Sequence, residues 1–254
     1  MATGILTRPR DVVRTLRRPS YRDVFLPLLN APTGRPFVVG QLGQSLDGRI
    51  ATLTGESRWI NGAPALDHLH RLRANVDAVL VGIGTATADD PSLTVRRVSG
   101  RSPARVIIDP GCKLPPDAKC LQGADDVQRV VIGPRRRDMP AGVEFLDVSS
   151  DDRRFCPHDI AEALNHHGLS RILVEGGAWT VSRFLEAGAL DRLHILLAPV
   201  ILGSGKSGIE TTPIASLDEA LRPPSAVYVL DGGEVIFDCD MRGPERGSGQ
   251  NDPG

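Results

Sequence analysis

The sequence predicts an α/β fold: a central, mostly parallel mixed sheet flanked by helices, closed by a C-terminal β-hairpin. Three observations carry this. Short apolar runs at 77–82 (Asp-Ala-Val-Leu-Val-Gly) and 104–109 (Ala-Arg-Val-Ile-Ile-Asp) read as strands covered on both faces, the habit of parallel sheets. Segments of helical period, 63–75 and 157–168, alternate with such runs. Near the end, Asp231-Gly232-Gly233-Glu234 separates Val227-Tyr228-Val229-Leu230 from Val235-Ile236-Phe237, a hairpin signal that makes the sheet mixed.

In chain order, residues 1–35 form an extension. Arg8, Arg10, Arg14, Arg17, Arg18 and Arg22 make it basic, and Val12, Val13 and Leu16, then Phe25, Leu26, Leu28 and Leu29, suit a short helix packed on the body. The body, 36–240, opens with a strand at 37–42, an Asp47-Gly48 turn and a polar loop from Thr54 to Asn61. In the helix that follows, Leu66, Leu69, Leu72 and Val76 define one buried face. Arg73 borders that stripe, where it either snorkels to solvent or meets an anion. The strand at 77–82 ends in Gly82-Ile83-Gly84-Thr85, and Ala88-Asp89-Asp90-Pro91 reads as a capped turn. A further strand is expected at 128–133.

The strand Ile172-Leu173-Val174 stops at Glu175 and passes through Gly176-Gly177 into a helix that carries Trp179, Phe184 and Leu185 and ends near Gly188. Such a joint aims free backbone N–H groups and a positive helix end at one point, which suits a phosphate. In open α/β sheets ligands bind beyond the carboxyl ends of strands, so both glycine turns are expected at one site. A strand at 194–200 leads to a flexible loop at 202–206. Lys206 there lacks the spacing of a phosphate loop. Residues 241–254 read as a disordered tail.

Composition narrows the function classes. Of the 254 residues 41% are hydrophobic and 24% charged, and the net charge is −1, which offers no general attraction to nucleic acid or anionic membrane. No apolar run approaches the roughly 20 residues of a membrane span, and the Arg-rich start lacks a signal-peptide core. Cys112, Cys120, Cys156 and Cys239 form no Cys-x-x-Cys pair, so neither a metal site nor a disulfide framework is expected, and the chain reads as cytoplasmic.

Several segments together resemble one family. Ser45-Leu46-Asp47-Gly48, Gly55-Glu56-Ser57-x-Trp59-Ile60, His70-x-x-Arg73, Asp77-Ala78, Val81-Gly82-x-Gly84-Thr85 and Asp89-Asp90-Pro91-x-Leu93-Thr94-Val95-Arg96 are similar to the riboflavin-biosynthesis pyrimidine reductases, the C-terminal domain of the bifunctional deaminase/reductase. Glu175-Gly176-Gly177, and Ala198-Pro199 followed by Leu202-Gly203, are similar to that family's later motifs. The resemblance implies a dihydrofolate-reductase-like fold and a homodimer. It also implies NADPH-dependent hydride transfer to the ribose C1′ of 5-amino-6-(5-phosphoribosylamino)uracil, giving the ribitylamino product. Carried over by position, Ser57, Arg73 and Arg96 would hold the substrate's phosphate, planar donor forks beside a hydroxyl. Trp59 and Leu93 would line the pyrimidine and ribose pocket, and Glu175 would meet ribose hydroxyls. The cofactor would lie on Gly43, Gly82, Thr85, Asp89 and the turn Gly176, Gly177, Ala178, Trp179, Thr180 and Val181. Asp89 and Glu175 are the matched carboxylates that could serve as proton donor.

The chain also departs from the family. No His-x-Glu…Pro-Cys-x-x-Cys zinc signature of a deaminase occurs, so a stand-alone reductase is expected. Gln41 stands where many relatives carry Lys, and Pro110 where relatives often offer a hydroxyl to the cofactor's 2′-phosphate. NADH therefore stays an alternative to NADPH. A reductase of a pterin or another pyrimidine-derived metabolite, and a non-catalytic ligand-binding relative, stay as alternatives in function.

Overall fold

The computed structural model describes residues 20–58, 60–123, 125–148 and 155–243. The expected helix through Val12–Leu16, the arginines before Ser20 and the tail beyond Gly243 lie outside them. The described chain begins with a 3₁₀ turn at Tyr21–Phe25 and helix α1 (Leu26–Leu29), whose Val24, Phe25 and Leu28 are buried against the body. Then follow β1 (Phe37–Ser45), β2 (Arg49–Ala51), α2 (Ala63–Ala74), β3 (Ala78–Gly82), α3 (Ile83–Asp89), β4 (Ala104–Ile108), β5 (Arg129–Ile132) and β6 (Val143–Leu146). After these come α4 (Pro157–His166), β7 (Arg171–Glu175), α5 (Ala178–Glu186), β8 (Arg192–Ala198), β9 (Lys206–Ser207), β10 (Ser225–Val229) and β11 (Val235–Asp240).

Nine strands make one sheet in the order β10-β11-β8-β1-β7-β3-β4-β5-β6. From β8 to β6 every neighbouring pair is parallel, and β11 joins β8 antiparallel. Alternation along each strand sends side chains to two cores. Val39, Leu173, Val79 and Val81 pack with Leu72 of α2 and Ala86 of α3 on one face. Val38, Val174 and Leu80 pack with Ile160 and Leu164 of α4 and Val181 and Phe184 of α5 on the other. Gln41 and Glu175 are register partners on adjacent β1 and β7, so both share the α2 face.

The structure differs from the sequence expectation in places. The turn expected at 88–91 is preceded by α3, which begins directly at the end of β3. The loop expected at 202–206 is not free. Asp47 accepts hydrogen bonds from Leu202 N at 3.1 Å and Gly203 N at 2.6 Å, and Lys206–Ser207 pairs with β2. The bond from Ser45 Oγ, and then those from Leu202 N and Gly203 N, pull the Asp47 carboxyl down to about 2.

Candidate functional site

The carboxyl ends of β7 and β3 lie side by side at the centre of the sheet, next to Gln41 in the middle of β1, which runs on past them along β8. Two strand-to-helix turns leave the sheet there, β3 into α3 and β7 into α5, and they interlock. A Cβ on Gly82 would lie 2.4 Å from Thr180 Oγ1, and one on Gly177 would lie 2.7 Å from Thr85 Oγ1. Each threonine thus occupies the space that the other turn's glycine leaves open. Gly177 also has φ +67°, a left-handed backbone that L side chains seldom adopt, directly before the first turn of α5. What is left for a ligand is the partly exposed backbone of Gly176, Gly177 and Ala178, at the amino end of a nine-residue helix, whose N–H groups suit an anion.

Around this cradle the expected cofactor residues divide. Gly43, Thr85, Gly176, Gly177 and Ala178 are partly exposed, and Asp89 and Trp179 are open to solvent. The side chains of Thr180 and Val181 turn inward, one to Gly82 and the other into the core. Only their backbone can meet a ligand. Asn61, which the sequence reading passed over, covers Gly43: its Oδ1 would lie 2.1 Å from a Cβ there. Glu234 in the hairpin turn holds Asn61 Nδ2 at 3.3 Å and also caps α2, accepting from Gly62 N at 2.7 Å and Ala65 N at 3.2 Å. The only sequence signal for Asn61 is its place before Gly62 at a helix start.

On the α2 side, Arg73 is neither a snorkelling surface arginine nor an open anion ligand. Its Nε and Nη2 donate to the two oxygens of Glu175, at 2.6 Å each, and Nη1 donates to Thr94 O at 3.0 Å. The two side chains are 6% and 7% exposed. Both residues were expected to face substrate independently, and the structure joins them in one buried ion pair. Arg96 is brought to the same helix: its backbone N donates to His70 Nδ1 at 3.2 Å while its side chain is exposed. Burial, then Arg73, Arg96 and Arg97, lowers His70 to about 4. His70 therefore accepts at Nδ1 as a neutral ring in a locally positive region.

Ser57 is exposed on the β2–α2 loop, and Trp59 lies outside the described residues. Leu93 departs from its expected place as a pocket wall. It is 1% exposed in the core, and its φ of +55° is a left-handed conformation held by surrounding structure.

Residues 36–224 match the RibD C-terminal domain family. The chain belongs to that family. It is 35% identical over 219 residues to a 2,5-diamino-6-ribosylamino-4(3H)-pyrimidinone 5′-phosphate reductase of Methanothermobacter thermautotrophicus, covering 82% of this chain and 100% of that protein. It is 36% identical over 194 residues to the riboflavin biosynthesis protein RibD of Aquifex aeolicus, covering 74% of this chain and 53% of that one. This RibD-family chain thus spans about half the length of such RibD proteins and the full length of the archaeal reductase. Among solved structures, RibD of Acinetobacter baumannii superposes with a TM-score of 0.72 at 30% identity, covering 82% of this chain and 58% of that one. The riboflavin biosynthesis reductase of Saccharomyces cerevisiae gives 0.67 at 21%, covering 86% and 97%, a likeness of fold. The dihydrofolate-reductase-like sheet expected from the motifs is the sheet this RibD-family chain has.

Proposed function

We propose that this chain is an NAD(P)H-dependent reductase of riboflavin biosynthesis, acting at the ribose C1′ of a ribosylamino-pyrimidine 5′-phosphate. The observation that carries the reading is the interlocked pair of turns at Gly82–Thr180 and Thr85–Gly177, one directly after Glu175 and the other on the neighbouring strand. In family members named for this reaction, the substrate is a pyrimidine ribosylamine phosphate. The cradle would hold the dinucleotide through Gly43, Gly82, Thr85, Asp89 and residues 176–181. When bound, a reduced nicotinamide supplies the hydride.

The remaining work belongs to this chain's own groups and consists mostly of positioning. Ser57, Arg96 and Arg73 would hold the substrate's phosphate, with Trp59 near the base and Leu93 fixing the backbone beneath it. Glu175 would accept hydrogen bonds from the sugar hydroxyls, with Asp89 the second carboxylate near the cofactor turn. NADPH is the proposed cofactor, with NADH as the comparison that Pro110 calls for. A cytoplasmic homodimer completes the reading. Leu46, Leu53 and Ile201 are 56%, 74% and 74% exposed, and Leu46 N donates to Val200 O, so these loops present apolar surface together.

Two bases compete for the substrate. The uracil compound is the first reading. The 2,5-diaminopyrimidinone compound is the second, favoured by the full-length match to the archaeal reductase. Oxidation of NADPH and NADH is to be followed with both phosphates, their dephosphorylated forms and dihydropterins side by side. Turnover of a ribosylamino-pyrimidine phosphate is expected. Turnover confined to a pterin, or binding without turnover of any of these, would replace the reading. Light scattering after size exclusion tests the dimer.

A further inference from the structure

The Arg73–Glu175 pair joins two functions that the reading above assigns separately. Arg73 stands in the last turn of α2 and Glu175 at the end of β7, 102 residues apart, and they meet through the most directional contact a guanidinium makes, two parallel bonds from one edge. The third nitrogen is held by the Thr94 carbonyl, in the irregular segment that carries Arg96 two residues later. With Nε and Nη2 committed to Glu175, Nη1 to Thr94 O and the side chain only 6% exposed, a phosphate that is to take the Nε–Nη2 edge must displace Glu175 from it. A carboxylate and a phosphate cannot both hold that edge, and the phosphate offers the guanidinium the same two-bond geometry.

Beside Glu175 on the same face sits Gln41, 8% exposed, whose amide has no hydrogen-bond partner among the described residues. Two adjacent polar groups, Glu175 at the carboxyl end of β7 and Gln41 beside it in the middle of β1, one tied to Arg73 and one untied, make a receptive surface for a hydroxylated ligand. A buried carboxylate that lost its arginine with nothing in exchange would be costly. Sugar hydroxyls arriving with the phosphate supply the donors that replace it.

We propose that Arg73 is a positioning residue that hands Glu175 to the substrate. In the empty site it holds the carboxylate away from chemistry. When the sugar phosphate docks between Ser57 and Arg96, the guanidinium turns its edge to the phosphate, and the freed carboxylate binds the sugar hydroxyls beside Gln41. Phosphate recognition then raises turnover as well as affinity, because a ligand without phosphate leaves Glu175 sequestered. This rests on the reading of the site as one for a phosphorylated sugar.

The first test is a ¹⁵N spectrum of the arginine Nε–H groups of the whole chain, with the Arg73 resonance identified by its loss in Arg73→Lys. Ribose 5-phosphate and ribose are the probes. The Arg73 signal is expected to move with ribose 5-phosphate and to stay in place with ribose. An unmoved signal at saturating ribose 5-phosphate would overturn the handover whatever the enzyme's true substrate.

The second test is kinetic. The dephosphorylated ribosylamino-pyrimidine is expected to show kcat at least ten-fold below the phosphate's at saturation, restored several-fold by inorganic phosphite. In Glu175→Gln the phosphate's effect on kcat is expected to vanish, while the phosphorylated product binds more tightly relative to its dephosphorylated form. In Arg73→Met/Glu175→Gln, which removes both charges together and so spares the fold, that tightening disappears. Phosphate that lowers KM alone, with kcat indifferent to phosphite, would sink the coupling while leaving the reductase reading intact. Absence of turnover with either base would count against the reductase reading, and the spectrum would still decide the handover.

Discussion

Thr180 Oγ1 stands where a side chain on Gly82 would begin: a Cβ there would lie 2.4 Å from it. Two turns that leave neighbouring strands therefore cannot be varied one at a time. Gly82→Ala forces either the Thr180 hydroxyl out of its place or α5 away from β3, and is expected to destabilise the fold by about 1–3 kcal/mol, the range for overpacking a closed site. Gly84, two residues on and with nothing within 4 Å of its would-be Cβ, is the control. Gly84→Ala inside α3 is expected to be neutral or to stabilise by up to about 1 kcal/mol. Urea midpoints of the two variants check the contrast.

Gly177→Ala combines a left-handed φ of +67° with a contact of 2.7 Å to Thr85 Oγ1. The strain is local to the proposed dinucleotide cradle. The expected result is a KM for the dinucleotide raised ten-fold or more, with KM for the pyrimidine substrate changed much less. Equal changes in both would move the cofactor away from this turn.

Glu234 reaches from the hairpin to cap α2, with two backbone N–H groups and Asn61 as its donors. Glu234→Ala leaves these donors unpaired and is expected to cost about 1–2 kcal/mol, as for loss of a helix cap. Because Asn61 covers Gly43, the variant should also lose cofactor affinity more than its melting temperature alone implies. Calorimetry and dinucleotide titration on one preparation separate the two effects.

Acid should destabilise this protein through its buried imidazoles. His68 lies in a chain of contacts from Tyr21 OH to His68 Nδ1 (3.0 Å), His68 Nε2 to His194 Nδ1 (3.1 Å) and His194 Nε2 to Asp238 (3.2 Å). Burial, then His194 and Arg71, holds His68 well below the ordinary 6.5, and His70 lies at about 4. Below about pH 6.5 the unfolded chain takes up protons that the folded chain refuses, so stability falls as pH drops, by up to about 1.4 kcal/mol per pH unit for each such ring. Above that pH these rings contribute no slope. His70→Gln keeps an acceptor for Arg96 N and is expected to flatten the fall between about pH 6.5 and 4 by one proton's worth. Denaturation midpoints across that window measure it.

What could be read in advance followed burial. β3, β4 and β7 are covered on both faces, so their apolar runs marked them, and Gly188 at φ +66° ends the α5 region where expected. β2, β6 and β9 are short or sit at a margin, and their mixed residues carry no period. α3 hid because Gly84, Thr85 and Thr87 are poor helix formers, and its position is set by the strand before it. At the site, residue types were legible and pairings were not. No local pattern links Arg73 to Glu175, or Asp47 to Leu202 and Gly203, because those contacts exist only once the sheet order is fixed.

The stretch that matches the family runs from 36 to 224, yet the sheet does not stop there. Upstream, Tyr21 closes the imidazole chain and Arg35 holds Asp191. Downstream, β11 covers β8, and Glu234 braces the helix that carries Arg73. A fragment trimmed to 36–224 would bare the β8 edge to any strand in solution and leave His68 without its tyrosine. The stretch that marks the family is therefore smaller than the folded unit around it, and grafts or truncations should be cut at the second.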